Sequence, residues 1–409
     1  MEEHFARLAA IRNQVSGYIY PNEIESQWGL LIVIYPYITG LVAGAFILAS
    51  LEKVFKVKEV EPTYRLALLT ALAFLIVAPL PLQAHLGHPE RSFEIFLTPH
   101  LQSAMAMFGF VYAWYLMVVL LLEIWFEYRA DVVRWSQRER GPMRLLHWII
   151  SLGSRELSEE AVAFDRRAVR AITLVGIPSA FILHGYVGFI FGSVKANPWW
   201  SSVLIPIVFL FSAIVSGIAL VLLIYYVTTL FRGHAPKMEC LDKLGGFLLY
   251  ALILDLSLEV LDFTHRLYES EESIGILSEL IYSKLFISLT IVQLLIGTLG
   301  PILLLVLVRN WRVPEEMRRV AYVLASLLVQ VGIFSTRWNV VIGGQLFSKS
   351  LRGLTVYKLE VGGAEGLLSA MGFLLLPFLI LYVLVRVLPP WDEARSVGTE
   401  AAALPQPGS

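Results

Sequence analysis

Nine stretches of about 20 or more apolar residues recur along the chain, at roughly 29–51, 65–84, 103–126, 169–192, 203–231, 243–267, 283–308, 317–340 and 366–388. A hydrocarbon layer about 30 Å thick needs about 20 helical residues to cross it. Lipid offers no hydrogen bonds, so a spanning segment must satisfy its own backbone. Together these facts predict an all-α integral membrane protein with about nine transmembrane helices. Composition agrees: 57% of the 409 residues are hydrophobic, 16% are charged and the mean hydropathy is +0.69, whereas soluble domains are about 25% charged. The net charge of −1 says nothing about a partner, and no nucleic-acid partner is expected.

Cysteine usage narrows the chemistry further. One cysteine, Cys240, excludes a disulfide framework and an iron–sulfur cluster held by this chain alone. Residues 1–28 are polar, with no apolar core or cleavage site, so no cleaved signal is expected there. The tail at 389–409 is expected to be disordered.

Lysine and arginine set the expected orientation. Ten of the 32 fall on the side that holds the N-terminus, and the remaining 22 fall on the other. Nine of those 22 lie between Arg129 and Arg170. The positive-inside rule makes the basic side cytoplasmic, with the N-terminus outside and the C-terminus inside.

The sixth stretch carries Asp255, Glu259 and Asp262. Left ionised and unpaired, each costs about 2.5–3.5 kcal/mol at bilayer depth. Steps of four and three residues place them within about 60° on one helix face, with Arg266 in the same arc and His265 beside it. One reading is a proton relay or ion path. The other is a polar stripe that assembles the bundle. Arg337, at similar depth in the eighth stretch, is expected to pair with Asp262.

A second concentration of chemistry lies on the N-terminal side. The second stretch ends in Gln83 and His85, and His88, Glu90, Arg91 and His100 follow in the loop, where Glu90 and Arg91 can pair. The fourth stretch ends with His184 and Tyr186, followed by Lys195, Asn197, Trp199 and Trp200. His184 lies about 12 Å below the interface at 1.5 Å per residue. A neutral imidazole there can hydrogen-bond a quinone carbonyl; it can equally serve a neighbouring helix, or ligate haem with His85. Tyr35 and Tyr186 are quinone donors or interfacial belt residues, and Trp199 and Trp200 read as belt. Val175-Gly176-Ile177 and Val331-Gly332-Ile333 hint at a parallel internal repeat.

Residues 85–91 (His-Leu-Gly-His-Pro-Glu-Arg), Leu97-Thr98-Pro99-His100 and Ser103-Ala104-Met105-Ala106 resemble a loop of the NrfD/PsrC-like family, the membrane subunits of the polysulfide reductase type. The run from Leu183 to Gly192 and the run from Arg337 to Gln345 look closer to one branch. That branch is the DsrP-like subunit of heterodisulfide-reductase-like menaquinol oxidoreductases.

The resemblance implies two four-helix bundles, 29–192 with a quinone pocket and 203–340; the polar residues of the second (Asp255, Glu259, Asp262, His265, Arg337) are the proton-path candidate read above. An extra helix at 366–388 follows. It implies exchangeable menaquinone against His184, Tyr186 and the His85 loop, to which convergence on the same side adds Tyr35 and Gln83, and no haem, metal or iron–sulfur cluster in this chain. It also implies an iron–sulfur, ferredoxin-like subunit on the outer face, docked against His88, Glu90, Arg91, His100, Lys195 and Asn197. Further membrane and catalytic subunits and membrane lipid complete the expected partners, in the inner membrane of a prokaryote. A secondary transporter that uses the buried carboxylates for ion coupling is the alternative.

Overall fold

The computed structural model describes residues 15–23, 26, 28–98, 100, 102–269 and 273–391. Expectations for residues 1–14, for Pro99 and for most of the tail, 392–409, lie outside them.

Among the described residues, nine helices are long and apolar enough to cross a membrane. They are α1 Leu30–Lys53, α2 Lys58–His85, α3 Ala104–Arg138, α4 Glu159–Gly192, α5 Ile205–Phe231, α6 Met238–Tyr268, α7 Ile274–Asn310, α8 Glu315–Gln345 and α9 Leu367–Val387. Pro62 lies near the start of α2, and Pro36 of α1, Pro79 and Pro81 of α2, Pro178 of α4, Pro301 of α7 and Pro377 of α9 lie inside helices, which neighbouring helices tolerate by re-satisfying the freed carbonyls. α7 is wound in π-type turns over Leu280–Leu299.

Loop contacts show which helix ends share a face. Strand β1 (Ser16–Tyr18) pairs antiparallel with β2 (Arg352–Leu354). Ser16 donates to Glu279 at 2.8 Å, His85 bonds Glu365 at 2.8 Å, and Asn197 donates to the Gly344 carbonyl at 2.8 Å. These bonds gather the start of α1 and the ends of α2, α4 and α8 on one face, called here the N-terminal face. On the opposite, basic face Lys243 meets Glu59 at 3.0 Å, Arg318 meets Asp242 at 2.7 Å, and His147 bonds the Val387 carbonyl at 2.8 Å. Arg65 is held there between Glu127 and Asp131, and Arg129 by Asp165, so these buried guanidiniums are paired, as burial demands.

α1 is the central helix: 89% of its apolar window is buried, and it packs on α2, α4, α5 and α8. α5 packs in turn on α1, α4, α6 and α8, and α8 on α7. The outermost helix is α9, with 17% of its window buried, set mainly against α2 and α1. α1 and α5 touch backbone to backbone at Gly44 and Gly217. A Cβ on Gly44 would run into the Ala213 carbonyl and the Gly217 Cα, and one on Gly217 into the Gly44 backbone. With no hydrophobic force between helices in lipid, such small-residue contacts let van der Waals packing hold them. Gly217→Val is therefore expected to destabilise the chain by about 1–3 kcal/mol or more through overpacking. The check is a size-exclusion melting curve in detergent; a wild-type curve would show that these helices do not meet there.

Candidate functional site

Arg337, on α8, is the largest fully buried side chain. It turns toward α4 and α5: Nη2 donates to Ser212 Oγ at 2.6 Å and to His184 Nε2 at 3.1 Å, and the guanidinium lies 4.1 Å from the Phe209 ring centre. The expected Arg337–Asp262 pair is not formed. Asp262 pairs with Arg266 at 2.9 Å and also accepts from Ser202. The reason is spacing: Arg266 is one turn along the same helix, in the favoured acid-first order, whereas α8 presents Arg337 to α5.

The carboxylates of α6 thus take three different surroundings. Asp255 is 3% exposed and leaves Oδ1 without a partner, within electrostatic range of Arg337. Glu259 accepts from Gln293 Nε2 at 3.0 Å. Gln293 in turn accepts from Asn339 at 2.7 Å, and Asn339 accepts from Ser288 at 2.6 Å. Asp262 is neutralised by Arg266, which also donates to the Pro198 carbonyl at 2.6 Å. A cavity of about 60 Å³ lined by Glu259, Asp262, Arg266, Gln293 and Asn339 joins the second and third of these, room for one or two waters at about 30 Å³ each. His265 faces outward, off this cavity.

The residues expected around a quinone also separate. His184 is wholly buried; its ring stacks on Phe209 at 5.7 Å and abuts Gly40 of α1. A guanidinium can only donate, so His184 Nε2 accepts, and a neutral ring then carries its proton on Nδ1. That Nδ1 has no partner. Tyr35 is 3% exposed, its hydroxyl also unpartnered, and it meets Phe108 edge-on at 5.6 Å. Phe108 stacks on Tyr186 at 6.3 Å. Tyr35, Phe108 and Tyr186 form one aromatic wall, His184 bonds on its α5 and α8 side, and His85 and half-buried Gln83 lie on the loop-facing end of α2, where His85 bonds Glu365.

Other expectations need correction. Trp199 and Trp200 are not belt residues: they are 7% and 4% exposed and donate to the Asn339 and Val340 carbonyls at 2.8 and 2.6 Å. The loop folds them under so that each buried indole N–H finds a carbonyl acceptor on α8. Glu90 pairs with His88 at 3.0 Å and Arg91 with Glu94 at 2.8 Å, not with each other. The bond to Arg91 holds the Glu94 carboxyl below its usual range. His88, Glu90, Arg91, His100 and Lys195 are exposed, whereas Asn197 is used internally to anchor its loop. Beside that loop is a cleft of about 360 Å³ between Trp28, Trp200, Lys349 and Thr355. Sequence reasoning missed Gln293, Asn339, Ser212 and Glu365. The first two were visible as amides inside apolar stretches.

A family model described as polysulphide reductase, NrfD, matches residues 21–349. The chain belongs to the NrfD family. It is 33% identical over 325 residues to a selenate reductase subunit of Mesobacillus selenatarsenatis, covering 78% of this chain and 74% of that one. It is 24% identical over 338 residues to the Hdr-like menaquinol oxidoreductase integral membrane subunit of Archaeoglobus fulgidus, covering 81% and 74%. It is 23% identical over 329 residues to a polysulfide reductase polypeptide of Wolinella succinogenes, covering 78% and 95%. This NrfD-family chain is thus a multi-pass integral membrane protein similar to membrane subunits of reductase complexes. The selenate reductase subunit stands nearer in identity than the Hdr-like subunit, so these matches establish the family rather than one branch of it.

Proposed function

We propose that the chain is the quinone-interacting membrane subunit of a respiratory oxidoreductase. In this reading it exchanges electrons between menaquinone or menaquinol and an iron–sulfur subunit on the N-terminal face, with that face outside a prokaryotic inner membrane. The observation that carries the reading is that Tyr35 Oη and His184 Nδ1 are among the buried donors left without a partner in the described residues. Buried polar groups are nearly always hydrogen-bonded, so unpaired ones point to a water or ligand. Quinone carbonyls are acceptors, which is what two donors require. Tyr35 lies five residues inside α1 and His184 eight from the end of α4, so about 8 and 12 Å below the face.

A bound quinone would supply two-electron, two-proton chemistry. The protein's own residues do the rest. Tyr35 and His184 orient the carbonyls, Phe108 and Tyr186 flank the ring, and Arg337 fixes the His184 tautomer through Nε2. The His85–Glu365 pair holds a titratable group near the face. The exposed residues His88, Arg91, His100 and Lys195 and the neighbouring cleft form the docking surface. Tunnelling requires a cluster on the same side as the quinone.

Tyr35→Phe removes one hydroxyl and leaves the ring in place. It is expected to lower quinol turnover about tenfold, the worth of one hydrogen bond, in a complex that still assembles. His184→Gln should act in the same direction. Wild-type turnover in both variants would overturn the site. Crosslinks from the iron–sulfur subunit found only to 127–168 would overturn the docking face. The transporter alternative would require ion uptake by the lone protein in vesicles.

A further inference from the structure

Between α9 and the helices α1, α5, α7 and α8 runs a groove of about 1670 Å³. It exceeds the ~300–1,000 Å³ of small-molecule sites. Its walls are almost wholly apolar, among them Leu220, Val227, Val331, Leu375 and Phe378. It exists because α9 packs on α2 and α1 and stands off from the rest. At the basic face it ends in Arg232 and Arg386, with Trp391 beside them. Arg232 lies 4.1 Å from the Trp391 ring centre, and Arg386 donates to Tyr382 at 3.2 Å.

We propose that this groove binds an anionic phospholipid of the leaflet on the basic face, its headgroup between Arg232 and Arg386 and its acyl chains along α5 and α9. Two measures support that occupant. The lining along α5 and its capping residue runs from Leu220 to Arg232 and that of α9 from Leu374 to Arg386. Each is a step of twelve residues, about 18 Å at 1.5 Å per residue. Lining from α8 (Leu327 to Trp338) and α1 (Tyr37 and Leu41) carries the apolar slot past mid-membrane, so it is deep enough for the acyl chains of a lipid whose headgroup sits at the basic face of a hydrocarbon core about 30 Å thick. The charge is the second measure. Two guanidiniums at the mouth of an apolar slot match a phosphate followed by acyl chains, and basic pockets between membrane helices take anionic headgroups. A quinone, which has no charge, does not match them. The lipid then acts as a wedge that holds α9 at its distance from α5, α7 and α8.

The test uses the whole complex in nanodiscs of equal phosphatidylglycerol and phosphatidylcholine, with retained lipid counted by native mass spectrometry after mild detergent release. The wild-type protein is expected to keep phosphatidylglycerol in preference to phosphatidylcholine. Arg232→Gln with Arg386→Gln should lower its occupancy about 25-fold, about fivefold for each basic group, and lysine at both positions should restore it. Val227→Trp, which blocks the slot and spares the arginines, should also empty it. The proposal is overturned if phosphatidylglycerol occupancy is unchanged in both variants or if phosphatidylcholine is kept equally well. It is also overturned if Val227→Trp removes quinone and leaves phospholipid in place.

Discussion

Arg337→Ala is expected to be the most damaging single substitution in the molecule. It deletes a fully buried guanidinium that bonds Ser212 and His184 and packs on Phe209. It also leaves Asp255, whose Oδ1 already lacks a hydrogen-bond partner, without its nearby positive charge. Removing one member of a buried charged set costs about 3–5 kcal/mol, because the remaining charge is stranded. Total stabilities are only about 5–15 kcal/mol, so most of the protein should fail to assemble. The check is the yield and melting temperature of the purified complex. Arg337→Lys keeps the charge but not the planar fork, so it should assemble and still disturb His184. A wild-type melting temperature for Arg337→Ala would mean that the helices meet without this residue.

Glu259→Gln has the second-largest expected effect, and on a different quantity. Glu259 lines the small cavity shared with Asp262 and Arg266 and accepts from Gln293. An amide keeps the shape and an acceptor oxygen but cannot give up a proton. If the α6 carboxylates relay protons, the substitution should slow proton movement in proteoliposomes at least tenfold. A positioned acid–base group contributes ~10²–10⁴-fold, and the lower figure allows for bypass through water. Quinol turnover in an uncoupled assay should stay near wild type, since Glu259 bonds none of Tyr35, His184 or His85. Wild-type proton movement in this variant would make the carboxylates structural. So would a complex that never moves protons.

These two residues show how far the sequence can be read before it is folded. The nine spans are legible because apolar length is a local sum and lipid admits nothing but self-satisfied backbone. The common face of Asp255, Glu259 and Asp262 is legible for a similar reason: 3.6 residues per turn applies within one helix. The clustering of histidines and aromatics at one end follows from counting spans, and the family resemblance follows from the same loop.

What the sequence could not settle is which way each helix is turned. Rotation and tilt in a bilayer are set by packing against neighbours, and no period in α8 says whether Arg337 looks toward α6 or toward α4 and α5. Tertiary structure took it to His184, left Asp262 to Arg266, and folded Trp199 and Trp200 inward. It set Glu365 against His85 across 280 residues. It also stood α9 apart so that a groove opened at Arg232 and Arg386. Hydropathy and helical spacing determined, by themselves, what lies in the membrane and which groups share a face. Which partner each buried polar group finds was decided only when the helices packed around α1, because a hydrogen bond needs its two atoms within about 3 Å and sequence spacing fixes distance only within one helix.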